Sequence, residues 1–201
     1  ISIIMPTYNA AKYIEGSIKS VLNQSYKNFE LIVVDDCSSD NTYNLIKLIK
    51  KKDKRVKYFK TKKNSKTASI PRNLGIKVAK GELIGLIDSD DFWYQDKLKI
   101  QLNNLKKGDY LACSASNYVK EKIKSNFIIN YIRIFLQIFI FSQLKKNRYY
   151  WLYVYNPVIL SSVLLRKKIF NNLLFNENVN IREDLYFWFR LFPLIKKNFC
   201  F

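Results

Sequence analysis

The chain has 201 residues, 48% of them hydrophobic, with only five glycines and four prolines. This length and composition predict one folded domain with a sizeable core, and they exclude the disordered and fibrous classes. The formal net charge is +19 and histidine is absent, which excludes Ser-His-Asp triads, zinc sites built on imidazole and histidine general bases. Three cysteines at no metal-ligand spacing, with no recognisable signal peptide, predict reduced thiols in a cytoplasmic protein.

Short apolar runs alternate with segments of helical periodicity along the first half of the chain. Strands are predicted at residues 1–5, 29–34, 56–59 and 83–87. Helices are predicted at residues 11–24, from a cap at Asp40 through Ile49, at residues 69–79, and around Leu98, Ile100, Leu102 and Leu105. This alternation predicts an α/β fold with a Rossmann-like, mostly parallel sheet flanked by helices. Such sheets bind ligands outside the carboxyl ends of their strands.

A strongly basic run lies in the middle of this region. Eleven lysine and arginine residues fall between Lys47 and Lys66, where Asp53 is the only acid. Such a run can be a solvated surface, a contact with an anionic membrane surface, or a nucleic-acid site. No aromatic residues are interleaved for base stacking and no nucleic-acid motif is present, so we expect no nucleic-acid partner. The solvated surface and a peripheral contact at the inner face of the cell membrane both stay open.

Acidic residues concentrate just past two predicted strands. Asp35 and Asp36 follow the second strand, and Asp88, Asp90 and Asp91 follow the fourth, so five of the sixteen acids occupy two short segments. Grouped carboxylates repel one another, and a bound cation or a hydrogen-bonding ligand would offset that repulsion. A hard cation such as Mg²⁺ or Mn²⁺ prefers such oxygen ligands and shares itself with substrate phosphates. The alternative for the second group is capping of the following helix.

The first acid pair has a different predicted role. Ser39 or Asp40 suffices as a helix cap, so we expect Asp35 and Asp36 to be unnecessary for structure. One of the two could accept a hydrogen bond from a nucleobase imide. The alternative is an aspartate that is hydrogen-bonded within a turn.

The segment Phe127–Phe141 is apolar, with only Asn130, Arg133 and Gln137 interrupting it. Fifteen residues with a central arginine are too few to span a bilayer. The interruptions form one narrow polar stripe on a helix. Such a helix is either packed on the sheet domain or laid in a membrane interface, and the sequence does not choose between the two.

Several motifs follow one another in order along the chain: Pro6–Asn9, Ser20–Tyr26, Glu30–Asp36, Arg72–Gly75, Lys80–Glu82 and Asp88–Asp91. Further matching segments follow at Ser161–Lys167 and from Glu183-Asp184 to Arg190-Leu191. In this ordered set the chain resembles glycosyltransferase family 2, whose members have a GT-A type fold. The resemblance is dense over residues 1–100.

The resemblance implies a role for each matching position. The residues implied to bind the nucleotide-sugar are Pro6, Thr7, Tyr8, Asp36, Arg72, Asn73, Asp88 and Ser89. Asp36 would contact the base, Arg72 and Asn73 would approach the phosphates, and Asp88 would face the ribose. Asp90 would hold a Mg²⁺ or Mn²⁺ ion that bridges the diphosphate, with Asp91 as its neighbour.

The resemblance also implies that Asp184 is the catalytic base. A sugar hydroxyl loses its proton as it attacks the anomeric carbon, and one carboxylate opposite the leaving group produces inversion in a single displacement. The aromatic helix that follows, residues 185–190, could wall an acceptor site. The alternative for Glu183 and Asp184 is acidic capping of a helix N-terminus.

The function implied is metal-dependent, inverting transfer of a sugar from a nucleotide-diphosphate donor to a hydroxyl group. UDP-sugars are the most frequent donors in the family, while guanosine and thymidine donors stay open. The acceptor would be a glycan or a lipid-linked glycan in polysaccharide or lipopolysaccharide synthesis at the cell surface. One alternative is a sugar-nucleotide nucleotidyltransferase, although the glycine-rich phosphate loop it needs is absent after the first strand. Another is a non-catalytic sugar-binding module. A dehydrogenase is disfavoured because no G-x-G-x-x-G follows the first strand.

The resemblance implies two halves within one continuous domain. Residues 1–115 would form the donor-binding half, and residues 116–201 the helical acceptor-side region with the apolar segment and the catalytic base. Relatives commonly continue past the position of Phe201, so we expect the chain to be truncated at its C-terminus. Residues 64–69 lack the glycine that relatives often carry before the Arg-Asn pair.

Overall fold

The computed structural model of the chain describes residues 1–105, 111–113, 158–179, 181–191 and 199–200. All of them belong to one compact unit. The apolar segment predicted at Phe127–Phe141 lies outside these residues. Within them, no helix combines the length and the apolar character that a membrane span requires.

Seven strands of the described chain form one sheet. They are β1 (Ser2–Thr7), β2 (Glu30–Asp35), β3 (Val56–Lys60), β4 (Leu83–Leu86), β5 (Leu111–Cys113), β6 (Val163–Arg166) and β7 (Phe199–Cys200). Their order is β3-β2-β1-β4-β6-β5-β7. Every pairing is parallel except the two made by β6, which runs antiparallel to β4 and β5. The predicted α/β fold with a mostly parallel sheet is confirmed.

The helices lie close to their predicted positions. They are α1 (Ile14–Leu22), α2 (Thr42–Lys52), α3 (Ser69–Val78), α4 (Lys97–Asn104) and α5 (Glu183–Leu191), with short 3₁₀ segments at Leu160–Ser162 and Lys167–Asn171. Asn41, and not Asp40, occupies the cap position of α2. The Asp40 carboxylate still accepts hydrogen bonds from the backbone N–H groups of Thr42 and Ala11, both at 3.0 Å, so it ties α2 to the turn before α1.

The core explains why β1 and β2 are continuous apolar runs. Both strands lie inside the sheet and are buried along nearly their whole length, as is usual for parallel strands covered on both faces. On one face Ile3 and Met5 pack against Ile14 and Ile18 of α1. On the other, Gly75 brings α3 so close that a Cβ atom there would lie 2.5 Å from Cγ2 of Ile4.

The order of the strands positions the ligand site. From β1 the chain continues to β2 and β3 on one side, and β4 then pairs with β1 on its other side. The carboxyl ends of β1 and β4 therefore border the point where the strand order reverses. Open α/β sheets bind their ligands in the crevice at such a point.

Candidate active site

A cavity of about 790 Å³ opens at the carboxyl ends of β1, β2 and β4, beside the first turn of α3. This volume is within the usual range for a small-molecule site. Seven of the eight residues predicted to bind the nucleotide-sugar line it, together with Asp90 of the predicted metal site. They are Pro6, Thr7, Tyr8, Asp36, Arg72, Asp88 and Ser89. Asn73 and Asp91 are not among the lining residues.

The end of β1 supplies one wall of the cavity. The backbone N–H of Asp36 donates to the carbonyl of Thr7 at 2.8 Å, so the β1–β2 pairing extends to the cavity and sets these two residues side by side. The Thr7 hydroxyl is buried and has no hydrogen-bond partner among the described residues. Buried polar groups in proteins nearly always have a hydrogen-bond partner, so an unpaired one at a cavity is available to a ligand. The Tyr8 side chain, by contrast, is 52% exposed at the cavity.

The two carboxylates after β2 are both engaged by the chain itself. Asp35 is fully buried and accepts hydrogen bonds from the backbone N–H of Ser38 and the hydroxyl of Tyr58, both at 2.9 Å. Burial, with the Asp35 carboxylate as the second cause, raises the pKa of Tyr58 above its ordinary value. The expectation that Asp35 is unnecessary for structure is therefore wrong, because its carboxylate fixes the turn and the edge strand β3.

Asp36 is also held by the chain, but its carboxylate lines the cavity. One oxygen accepts the Thr61 hydroxyl at 2.8 Å, and the other accepts the backbone N–H and the hydroxyl of Ser65 at 2.9 and 2.8 Å. A carboxylate offers about four lone-pair positions, so one acceptor position remains. Asp36 thus combines a structural role with a place at the cavity wall.

After β4, Asp88 takes part in an ion-pair bridge that the sequence did not predict. Arg72 is only 4% exposed, and its guanidinium contacts Asp88 at 2.6 Å and Glu183 at 2.7 Å. Burial alone would lower the pKa of Arg72, but the two carboxylates outweigh it and the net pKa is raised. Arg72 therefore stays charged and links the end of β4 to the first turn of α5.

Asp90 and Asp91, the two predicted metal ligands, lie in different surroundings. Asp90 is exposed at the cavity and accepts no hydrogen bond from any described residue. The carboxylate of Asp91 accepts a hydrogen bond from the Ser161 hydroxyl, and its backbone carbonyl accepts one from Ser17. Burial is the main cause that raises the pKa of Asp91, with Asp88 and Asp90 contributing. Asp91 is thus directed at the 3₁₀ segment and away from the cavity.

The predicted metal site contains few protein ligands. The described part of the chain contains no cluster of three or more aspartate, glutamate, cysteine or histidine side chains that could hold an ion. Asp88 and Asp90 are the two carboxylates after β4 that line the cavity. Mg²⁺ sites commonly use one or two carboxylates and complete their coordination with substrate phosphates and water. The residues present suit that kind of site.

Asn73 is used differently from the expectation. Its amide nitrogen donates to the carbonyl of Phe175 and to the carboxylate of Glu177, both at 2.9 Å. Its amide oxygen accepts the backbone N–H of Phe175 at 3.0 Å. Both hydrogens of the amide are taken, so Asn73 joins α3 to the segment before α5 and does not face the cavity.

The two acids at the start of α5 also have different surroundings. Glu183 pairs with Arg72, whereas Asp184 is half-buried and does not line the cavity. Of the aromatic residues that follow, Tyr186 is 41% exposed, whereas two are taken up by the core. Phe187 and Trp188 are fully buried, and Phe187 stacks on Phe175 with ring centroids 4.3 Å apart. They hold α5 on the core.

Several contributors to the site were not predicted from the sequence, among them Lys66 and Ser161. Lys66 lines the cavity with a backbone φ of 59°, so a lysine holds a left-handed conformation in the loop that lacks a glycine. Asn64 supports it by accepting the Lys66 N–H at 2.8 Å. Ser161 accepts the backbone N–H of Asp88 at 3.1 Å and donates to Asp91, so it fixes the loop after β4. The second matching block of the sequence, which begins at Ser161, was the available signal for it.

Comparisons with known proteins agree with this geometry. The family model described as "Glycosyl transferase family 2" matches residues 2–174. An uncharacterized glycosyltransferase of Rickettsia felis is 35% identical over 94% of this chain, which spans 29% of that protein's length. The Escherichia coli enzyme WfgD is 43% identical over 64% of this chain and 49% of its own. It is named a UDP-Glc:alpha-D-GlcNAc-diphosphoundecaprenol beta-1,3-glucosyltransferase.

A solved structure has the same fold. Staphylococcus aureus TarS in complex with UDP superposes with a TM-score of 0.77 at 24% identity, covering 99% of this chain and 56% of TarS.

Proposed function

Because the chain belongs to glycosyl transferase family 2, we propose that it transfers a sugar from a UDP-sugar to a hydroxyl group, with inversion and with the help of a divalent cation. The observation that carries this proposal is the single cavity at the strand crossover. There the nucleotide-facing residues Thr7, Tyr8 and Asp36 lie in the same cavity as the two carboxylates Asp88 and Asp90. A nucleoside diphosphate needs both a base pocket and a cation-holding group.

The β1–β2 end of the cavity suits the nucleoside. The buried Thr7 hydroxyl lacks a partner within the described part of the chain, and Asp36 retains one acceptor position for the imide N–H of uracil. The exposed Tyr8 ring offers a face for the base. UDP is supported as the nucleotide because TarS was crystallised with it and WfgD is named for UDP-Glc.

The β4 end of the cavity suits the diphosphate. Asp90 and Asp88 would hold Mg²⁺ or Mn²⁺ together with the phosphate oxygens. Such a cation would supply charge neutralisation for the departing diphosphate. Arg72, buried between Asp88 and Glu183, fixes the Asp88 carboxylate at the cavity wall.

Asp184 is our candidate for the general base. As the acceptor oxygen bonds to the anomeric carbon, the bond from that carbon to the phosphate oxygen breaks, and Asp184 takes the hydroxyl proton. Glu183 is less suited because its carboxylate is already engaged in an ion pair with Arg72. Asp184 lies outside the donor cavity, as a group serving the acceptor would.

The acceptor class follows from the relatives. WfgD acts on a sugar linked to diphosphoundecaprenol, according to its name. A lipid-linked glycan of cell-surface polysaccharide synthesis is therefore the acceptor we propose for this chain.

Incubation of the full chain with UDP-glucose or UDP-N-acetylglucosamine, Mn²⁺ and a lipid-diphosphate-linked sugar tests the proposal. We expect release of UDP and a product whose new linkage has the anomeric configuration opposite to the donor's, as determined by NMR. Consumption of a nucleoside triphosphate with release of pyrophosphate would instead identify a nucleotidyltransferase. Tight sugar binding with no transfer from any donor would identify a binding module.

A further inference from the structure

One surface of the molecule is strongly basic and lies outside the acid-rich part of the cavity. It is formed by the exposed side chains of α2, the edge strand β3 and the loop that follows, and we call it the lysine surface. Its members are Lys47, Lys50, Lys51, Lys52, Lys54, Lys57, Lys60, Lys62, Lys63 and Lys66, all of them exposed.

These lysines are not neutralised by neighbouring acids. The only acid between residues 47 and 66 is Asp53, which pairs with Arg55 at 2.7 Å. Among the described residues, none of the ten lysines forms a salt bridge. Concentrated charge of one sign costs repulsion, and an anionic partner offsets that cost.

Protection of the sheet edge explains only part of this surface. Lysines on an edge strand discourage pairing with another chain, and Lys57 and Lys60 lie on β3, which is at the edge of the sheet. The other eight lysines lie on α2 or in connecting segments, where no strand edge needs protection.

Apolar side chains are exposed among the lysines of α2. Leu48 is 56% exposed and Tyr43 is 42% exposed, while Ile46 of the same helix is buried in the core. Lysine stems and an exposed leucine can enter the headgroup region of a bilayer while the ammonium groups stay at its surface. A partner that binds through charge alone would make no favourable contact with the exposed Leu48 side chain.

We propose that the lysine surface docks the chain on an anionic lipid bilayer. Each lysine near an anionic leaflet strengthens binding by about fivefold. An anionic polymer is a poorer fit, because polymer strands are usually held in grooves with stacked aromatic side chains. Of the ten lysines, Lys66 is the one that lines the donor cavity among the described residues.

Lys66 also gives the docking a consequence for catalysis. It belongs to the lysine surface and lines the donor cavity, so docking would bring the cavity beside the leaflet that carries lipid-linked sugars. This consequence rests on the proposed function, whereas the docking itself does not.

Co-sedimentation of the full chain with vesicles tests the docking. We expect binding to phosphatidylcholine vesicles that contain phosphatidylglycerol and little binding to phosphatidylcholine alone, with the difference lost at high salt. The triple variant Lys47→Gln, Lys51→Gln, Lys62→Gln should weaken that binding by about a hundredfold. None of the three lines the cavity, so UDP affinity should be unchanged.

The matched control removes the same charge elsewhere. Lys80, Lys99 and Lys168 are also exposed, and the three corresponding glutamine substitutions should leave vesicle binding within a few-fold of the parent. Equal losses in both triple variants, or no dependence on phosphatidylglycerol, would overturn the proposal. So would inorganic polyphosphate binding as tightly as the vesicles and losing affinity in the same variant. Absence of UDP binding, with lipid binding kept, would count against the proposed function only.

Discussion

The loops after β2 and β4 both carry adjacent aspartates, but the chain treats their carboxylates differently. After β2, Asp35 and Asp36 receive five hydrogen bonds from the chain's own hydroxyl and backbone N–H groups. After β4, Asp90 receives none from the described residues, and Asp88 is shared with Arg72. A carboxylate already supplied with donors fixes the backbone, whereas one without donors is available to a cation or a ligand.

This difference assigns separate tasks to the two ends of the cavity. The β2 loop is preorganised, so its substitutions should lower stability or the fit of the base. In the β4 loop, Asp88 and Asp91 are held by Arg72 and Ser161. Asp90 alone of the three depends on what binds there, so its substitution should change ligand binding and turnover with little change in stability.

The largest effect is expected at the acid pair of α5, where Glu183 pairs with Arg72 and Asp184 is the proposed general base. Asp184→Asn should slow transfer by about 10²–10⁴-fold with UDP affinity kept, because the acceptor hydroxyl loses its base. Glu183→Gln is the matched control and should instead disturb the bridge to Arg72. Rates and UDP affinities of both variants would be measured. Transfer at the parent rate by Asp184→Asn would refute the assignment, and a dead Glu183→Gln with an active Asp184→Asn would move the base by one residue.

Asp90→Asn tests the carboxylate that accepts no hydrogen bond from the described residues. UDP binding by calorimetry should require Mn²⁺ in the parent and should be equally weak with and without Mn²⁺ in the variant, with turnover reduced by about 10²–10³-fold. The melting temperature without ligand should stay the same, because Asp90 is exposed and unpaired among the described residues. Equal UDP affinity of the parent with and without a chelator would remove the metal from the mechanism.

Asp36→Ala tests a residue whose carboxylate is hydrogen-bonded by the chain and also lines the cavity. Losing a charge-assisted hydrogen bond to the base costs about 1.5–3 kcal/mol, which is about a ten- to hundredfold weaker UDP affinity. The Mn²⁺ dependence should persist, because Asp90 is untouched. Thr61→Val serves as the control, since it removes one donor to Asp36 without removing the carboxylate. An unchanged affinity in Asp36→Ala would leave Asp36 as a turn residue only.

The parts of this molecule that were predictable from sequence are those set by local pattern. The four apolar runs and the helices between them lie within a few residues of their predicted positions, because burial on both faces of a parallel sheet requires continuous apolar residues. The rule that ligands bind at strand ends also located the cavity. In contrast, β6 has only a short apolar run, and its place depends on antiparallel pairing with β4, about 80 residues away.

The use of individual polar side chains was harder to predict because their partners are distant in sequence. Asn73 bonds to Phe175, 102 residues away, and Asp91 bonds to Ser161, 70 residues away. Asp35 resembles Asp36 in sequence, but Tyr58 reaches only Asp35. No local pattern specifies which of two adjacent carboxylates will meet a distant hydroxyl.

The smallest effect, and the sharpest test of the structural side, is expected from Tyr58→Phe. The substitution removes the hydroxyl that donates to Asp35 at 2.9 Å and leaves the ring in place. A hydrogen bond to a charged group contributes about 1.5–3 kcal/mol, so the free energy of unfolding in urea should fall by that amount or less while UDP affinity stays unchanged. Tyr43→Phe is the matched control, because the Tyr43 ring lies 5.2 Å from that of Tyr58 but its hydroxyl forms no hydrogen bond among the described residues.

The stabilities of the Tyr58→Phe and Tyr43→Phe variants should also differ in how they depend on pH. Burial and Asp35 raise the pKa of Tyr58 in the folded state, so above the ordinary tyrosine value of about 10 the unfolded chain loses the proton first. The parent's stability should therefore fall as pH rises past that value, and Tyr58→Phe should fall less steeply than Tyr43→Phe. Parallel pH profiles for the two variants would show that Asp35 does not hold the Tyr58 hydroxyl. A loss of UDP affinity in Tyr58→Phe would show that the β2 loop shapes the base pocket more directly than its hydrogen bonds indicate.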